Sequence, residues 1–355
     1  MRDSIMSKRR SFLKSATALG AATLLHQTTW GNQYFPDPKP KTKPKKLKLG
    51  DTIGLVAPGF AIEKEALFLA LDTLQKMGFK TYHTDRIKGN YGYFSNTDEE
   101  RAKDVNEMFA NPDIDAILCA RGGYGCTRIL DLLDYDCITN NPKALIGFSD
   151  ITALINTIYK KTGLIGFHGP VGKTLDDEYS QVYFKKVLME PQQTLPIKNA
   201  ILKDPKQYRN SEYYRYTITA GVGQGELVGG SLTLVAAMIG TPYEIDFTDK
   251  LVLLEDVEEA PYRIDRMLTQ LADVESFTKA KGIIFGVCKG CDRKRTTENF
   301  TLREVIMDRV SPLGIPAAYG MSFGHIPQNS TLPIGIEAYF NAYKKQLRLM
   351  EPAVS

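Results

Sequence analysis

Short apolar runs recur along this chain, each stopping near a glycine or proline and followed by residues at helical spacing. Residues 52–57 (Thr-Ile-Gly-Leu-Val-Ala) end at Pro58-Gly59, and Leu67, Ala70, Leu71, Leu74 and Met77 then recur at helical intervals up to Gly78. An extended pattern resumes at residues 79–83. Thr97-Asp-Glu-Glu100 has the form of a capping box and opens a helix that must end before Asn111-Pro112. Residues 114–120 and 144–148 are two further apolar runs, the second followed by a helix over 150–161. Runs this short and this apolar belong in strands covered on both faces. Their alternation with helices predicts a parallel α/β sheet.

The second half repeats the theme less regularly. Residues 172–215 are polar and irregular, with Pro191, Pro196 and Pro205, and the crossing between two domains is placed there. Strands are expected over 225–230, 251–254, 282–287 and 315–319. The fold class is therefore α/β in two domains: an N-terminal parallel-sheet domain and a C-terminal mixed α/β domain.

Charge is unevenly distributed. Residues 1–48 hold eleven of the 45 Lys and Arg but two of the 41 acids, so the remainder is net acidic although the whole chain is +4. A mildly acidic body argues against a nucleic-acid-binding surface. Within the basic segment, Arg9-Arg10 is followed by Ser11-Phe12-Leu13-Lys14 and an apolar stretch over 16–25. That stretch is shorter than the roughly 20 residues needed to span a bilayer and resembles the core of a twin-arginine export signal. The expected location is the periplasm, or the cytoplasm if that reading fails, with no stable membrane anchor after signal removal. Residues 36–48, rich in Pro and Lys, read as a solvated tether.

Of five cysteines, Cys288-Lys-Gly-Cys291 forms a lone CxxC. A zinc ribbon wants a second such pair, and a thioredoxin-like motif wants a helix start near an N-terminal βαβ unit. No metal or cofactor is expected.

Chemistry is concentrated at strand ends. Gly147-Phe-Ser149-Asp150 lies between a strand and a helix, where a sharp turn would lift a serine hydroxyl clear of the sheet. The same Ser-Asp pair also suits a plain helix N-cap. Arg121-Gly-Gly-Tyr-Gly125 follows another strand end, and adjacent glycines let backbone N–H groups approach an anion. A phosphate loop would need a G-K-[ST] ending that is missing here. Four histidines are available to a serine as base. His26 lies in the export segment and His83 in an extended stretch. His168 follows an apolar run, and His325 lies in a loop with glycine before it and Ile326-Pro327 after it. His325 is favoured, with His168 as rival. An orienting carboxylate is sought at Glu255 or Asp256, at the end of the run 251–254, with Glu258 and Glu259 as competitors. Asp265-Arg266 reads as a structural ion pair.

Taken together, Val56-Ala-Pro58, Arg121-Gly-Gly-Tyr-Gly125, Gly147-Phe-Ser-Asp150, Leu254-Glu-Asp256 with Tyr262-Arg-Ile-Asp-Arg266, and Gly324-His325 resemble the LD-carboxypeptidase family of serine peptidases. That family includes muramoyl-tetrapeptide carboxypeptidases and microcin-immunity hydrolases. The likeness runs in order over residues 49–340, and residues 225–231 resemble the glycine-rich start of the family's second domain. It implies Ser149 as nucleophile, His325 as base and Glu255 as orienter, a triad that spans both domains and so places the active site in the cleft between them. The backbone N–H groups of Asp150, Gly122 and Gly123 would form the oxyanion hole. It also implies a murein peptide substrate losing its terminal D-alanine. A microcin-type peptidyl-nucleotide hydrolase and a non-catalytic wall-peptide-binding protein are the alternatives. Gly59 departs from the pattern, many relatives having a small hydroxyl residue there. Subunit number is left open, a homodimer included. The expected organisation is an export signal over 1–30, a linker over 31–48, the N-terminal domain over 49–190 and a crossing over 191–215. The C-terminal domain then takes 216–345 and a tail 346–355.

Overall fold

The computed structural model describes residues 39–294 and 296–355. The export segment lies outside the described residues.

Two sheets carry the fold. The first is built from β1 (Thr52–Val56), β2 (Lys80–Tyr82), β3 (Ala116–Cys119), β4 (Ala144–Gly147) and β5 (Gly166–His168), all parallel, with one late strand, β12 (Leu332–Ile334). Its order is β12-β5-β4-β3-β1-β2, and β12 runs antiparallel to β5 at one edge. The inner strands are buried along nearly their whole length, as their unbroken apolar runs require. The helices follow their signals. The helix Lys64–Lys76 buries Leu67, Ala70 and Leu74, and Gly78 follows it at φ 92°. Thr97 caps the helix Asp98–Ala110 by accepting from the Glu100 N–H, and Glu100's own carboxylate turns to Arg86.

The second sheet contains β6 (Leu195–Ile197), β7 (Tyr216–Thr219), β8 (Val222–Ser231), β9 (Leu251–Glu255), β10 (Gly282–Phe285), β11 (Ala317–Tyr319), β13 (Glu337–Asn341) and β14 (Gln346–Leu349). Its order is β6-β14-β13-β8-β9-β10-β11-β7, parallel from β8 to β11 and antiparallel outside them. One contiguous cluster of buried side chains runs through both sheets.

The two halves are joined where it matters for the site. The helix Thr152–Thr162 leaves β4 and lies against β8. Its Asn156 donates to the Gly229 carbonyl and accepts from the Gly229 N–H, both at 2.9 Å. Thr152 Oγ1 accepts from the Ser231 N–H at 3.0 Å. A Cβ on Gly230 would meet Thr152 Oγ1 at 2.5 Å, so the glycine permits this approach. No helix of the described residues is long and apolar enough to cross a membrane.

Three expectations are corrected. Residues 41–48 are not a solvated tether but a strap. Thr42 bridges to Leu164, the Leu47 N–H donates to the Leu188 carbonyl, and Leu47 itself is 2% exposed. Lys41 pairs with Glu226 at 2.8 Å, and Lys43 with Glu351 at 2.6 Å. The lysines thus neutralise acids of the second sheet's β8 and of the C-terminus. The stretch 346–355 is likewise no tail: it supplies β14, buries Ala353 and Val354, and its Ser355 carbonyl accepts from the Lys46 N–H. Within 172–215, residues Glu178–Leu188 form a helix capped by Asp177.

If the strap is part of the fold, Leu47→Ala should cost about 2–4 kcal/mol, the usual range for deleting a buried leucine side chain. Urea unfolding reads this directly, and an unchanged midpoint would return the segment to tether status.

Candidate active site

Three strand ends supply the site. β4 stops at Gly147, Phe148 stays extended, and Ser149 takes φ 65°, a region that L side chains seldom occupy. The chain then winds through a short turn of 3-10 helix, Ser149–Ile151, into the helix Thr152–Thr162. The turn holds the hydroxyl off the sheet at the carboxyl end of a strand, where sites of α/β folds gather. A Cβ placed on Gly122 would lie 3.0 Å from Ser149 Cβ and 3.1 Å from its Oγ. A side chain there would crowd the hydroxyl, and glycine leaves room for the loop's close approach. The Asp150 N–H falls in the first turn, where a helix leaves its donors without an internal partner.

Asp150's side chain has a different task. It is fully buried and accepts from the Cys126 N–H at 2.8 Å, pinning the 121–125 loop; burial raises its pKa. Gly59 packs against the same loop, a Cβ there meeting the Gly122 carbonyl at 3.1 Å and Asp150 Oδ2 at 3.2 Å. The hydroxyl residue expected of many relatives would be a tight fit in this chain.

β9 ends at Glu255, which is completely buried. His325 lies in the loop between β11 and β12. Its Nδ1 is 2.7 Å from Glu255 Oε2, and its Nε2 is 3.0 Å from Ser149 Oγ. An ionised carboxylate only accepts, so Nδ1 carries the proton donated to Glu255, and Nε2 presents its lone pair to the serine hydroxyl. Gly324 has φ 102°, and a Cβ there would sit 2.6 Å from Glu255 Oε2. The glycine is what brings the histidine loop down onto the carboxylate. Asn329 accepts from the Gly324 N–H at 3.0 Å, and Ser180 accepts from the Asn329 N–H at 3.0 Å, tying the loop to the helix Glu178–Leu188. Phe148 lies edge-on to the imidazole at 4.8 Å.

The electrostatics suit this arrangement. Burial alone would push the Glu255 carboxyl up, but His325's charge and hydrogen bond outweigh it and hold Glu255 below the usual carboxylate range. Burial alone would push His325 down, but Glu255 outweighs it and raises the imidazole. If neutral His325 is the working base, kcat/KM should rise with pH through an apparent pKa above the ordinary histidine value of about 6.5. A pH-rate profile checks this; an acid limb falling well below that value would contradict it. The same shifts bear on stability. The raised His325 contributes stability that is full below its unfolded pKa and is lost as pH rises through the folded value. The lowered Glu255 contributes stability that is lost as pH falls through its folded value.

The competing residues are placed elsewhere. His168 is wholly buried, its ring edge-on to Phe323 and Phe148, and burial pushes its pKa down to about 4. Asp256 follows the end of β9 and is engaged by other partners. It accepts from the Thr233 N–H and hydroxyl and from the Val257 N–H, and burial pushes it up to about 6. Glu259 pairs with Arg263. Glu258 occupies a left-handed turn at φ 57°, its N–H bound to the Lys289 carbonyl. Asp265 pairs with Arg309 at 3.6 Å rather than with its neighbour Arg266. Cys288 and Cys291 are buried, their thiols pushed up by burial, Cys291 to about 12. Among the described residues no group of three or more His, Cys, Asp and Glu side chains could hold a metal ion.

Sequence reading missed the residues that hold the three groups in register: Thr152, Asn156, Ser180 and Asn329. Each acts through a partner far along the chain, and no local pattern marks it.

A strained serine on a strand-to-helix turn, with an imidazole and a buried carboxylate in line behind it, defines an α/β serine hydrolase. The LD-carboxypeptidase N-terminal domain matches residues 53–169 and the LD-carboxypeptidase C-terminal domain residues 224–340. The chain belongs to the LD-carboxypeptidase family and is a serine carboxypeptidase. It is 35% identical over 308 residues to the probable murein peptide carboxypeptidase of Bacillus subtilis strain 168, covering 85% of this chain and 92% of that one. It is 31% identical over 291 residues to the murein tetrapeptide carboxypeptidase of Pseudomonas aeruginosa, covering 80% and 91%. The crystal structure of an MccF-like protein from Bacillus anthracis superposes with a TM-score of 0.76 at 29% identity, covering 87% of this chain and 99% of that one.

Proposed function

We propose that this protein removes the C-terminal D-alanine from murein tetrapeptides by acyl transfer through Ser149. The observation that carries the reading is the continuous hydrogen-bonded line Glu255–His325–Ser149. His325 Nε2 takes the hydroxyl proton as Ser149 Oγ attacks the carbonyl carbon of the scissile amide. The oxyanion is met by the N–H groups of Asp150 and of the Gly122-Gly123 loop. As the C–N bond breaks, the imidazolium returns the proton to the departing amine, and D-alanine leaves. Water then attacks the ester, giving its proton to His325, and the tripeptide carboxylate is released with Ser149 restored. Glu255 holds the imidazole tautomer and stabilises the imidazolium throughout.

Mass spectrometry of a muropeptide mixture incubated with the protein tests the reading. Tetrapeptides should shorten by one alanine, in EDTA as well as without it. A fluorophosphonate probe should label Ser149. Unchanged tetrapeptides would overturn the substrate, and an unlabelled serine would point to a protein that binds wall peptides without cutting them. The likeness to microcin C7 self-immunity protein MccF, solved in complex with aspartyl sulfamoyl adenosine, favours peptidyl-nucleotides as the second substrate to try. We also propose that Arg9-Arg10 directs export. Replacing both with lysine should leave the chain in the cytoplasm, and a wild-type chain found there intact would refute it.

A further inference from the structure

A carboxypeptidase must recognise a free carboxylate next to the bond it cuts. We infer that Lys173, with Arg121 beside it, binds the terminal carboxylate of the substrate and so sets the preference for a C-terminal residue.

The position of that carboxylate follows from covalent geometry. The leaving nitrogen is bonded to the Cα that bears it, so its carbon lies within about 4 Å of the carbonyl under attack. It lies on the leaving-group side, which is the side of His325, because the imidazolium must hand its proton to that nitrogen. The cation that reads it must stand near both His325 and the mouth of the serine loop.

Lys173 meets this requirement. It lies in the turn Gly172–Thr174 just after β5, and its N–H donates to the Ala120 carbonyl at 3.1 Å. Its backbone is thereby fixed beside Arg121, the first residue of the loop whose Gly122 touches Ser149. The Lys173 charge is close enough to His325 to lower the imidazole pKa, and Arg121 is close enough to Lys173 to lower the ammonium pKa, after burial as the larger cause. Glu63 is the acid that acts on Lys173 in the opposite sense, without closing to an ion pair.

Neither cation makes a salt bridge among the described residues. Arg121 donates from Nη1 to the Ala61 carbonyl and lies over the Phe60 ring at 5.4 Å, while its buried Nε–H meets no acceptor. Two neighbouring cations without carboxylate partners repel one another, at a cost to the free protein. An anion placed between them would offset that cost. Arg121 also borders a groove of about 640 Å³ lined by Phe60, Ile62, Leu67 and Tyr93.

This inference rests on the carboxypeptidase reading, and one pair of substrates separates the two. The tetrapeptide as free acid and as C-terminal amide are compared on wild type, Lys173→Met and Lys173→Arg. Wild type should favour the acid strongly. Lys173→Met should shrink the acid-to-amide ratio of kcat/KM by about 30- to 100-fold, mostly through KM, as expected when one partner of a charge-assisted contact is lost. Lys173→Arg should recover most of it. Lys173 is exposed, so neither variant threatens folding. A wild type that cuts the acid but whose ratio is the same in Lys173→Met overturns the inference alone. A wild type that cuts neither substrate overturns the carboxypeptidase reading and this inference with it.

Discussion

Ser149→Ala and Ser149→Gly should both lose about 10⁵- to 10⁶-fold in kcat, the scale on which a triad nucleophile counts, yet the glycine variant should be the more stable of the two. At φ 65° an alanine keeps the Cβ that makes this region unfavourable, while glycine does not. The expected gap is about 1 kcal/mol, after allowing for the greater freedom of glycine in the unfolded chain. Paired urea titrations read it. An alanine variant as stable as the glycine variant would mean that the turn stores no strain. Residual turnover above about one part in 10⁴ in either variant would mean that another group attacks the substrate.

Glu255→Gln should lower kcat by roughly two to four orders of magnitude. A glutamine can turn its NH₂ toward Nδ1, which favours the tautomer that faces Ser149 with a proton instead of a lone pair. It also removes the charge that raises the His325 pKa, so the acid limb of any remaining activity should move to lower pH. Asp256→Asn is the control. It sits one residue away, just past β9, and holds the Thr233 and Val257 N–H groups, so the change should cost stability more than rate. Near-wild-type turnover in Glu255→Gln beside an inactive Asp256→Asn would exchange their roles.

What could be read from the residues was what local chemistry determines. Apolar runs closed by Gly, Pro or acidic residues fixed the inner strands of both sheets, and the end of the run 251–254 pointed to Glu255, the last residue of β9. The Ser149 turn was visible because a strand and a helix had to meet within two residues. The edges were harder. Leu-Pro-Ile occurs twice, at 195–197 and 332–334, and both copies are edge strands, β6 and β12. Proline offers no ladder N–H, so three residues containing one resemble a loop until the rest of the sheet is in place. The strap over 41–48 was hidden for another reason. Its lysines read as solvated charge because their partners, Glu226 and Glu351, lie some 180 and 310 residues away. The helix Glu178–Leu188 fell inside a stretch whose prolines drew attention to its breaks.

The route of the chain through β12 bears on how this enzyme can be divided. The loop carrying His325 leaves the second sheet at β11 and is tied down in the first by β12, which covers the outer side of β5. A fragment ending near residue 190 would therefore keep Ser149 yet expose a bare row of β5 N–H and C=O groups, ready to pair with another copy. The two halves share a seam that neither can close alone. Splitting the gene at the apparent domain junction would yield a sticky half-protein in place of an independent module.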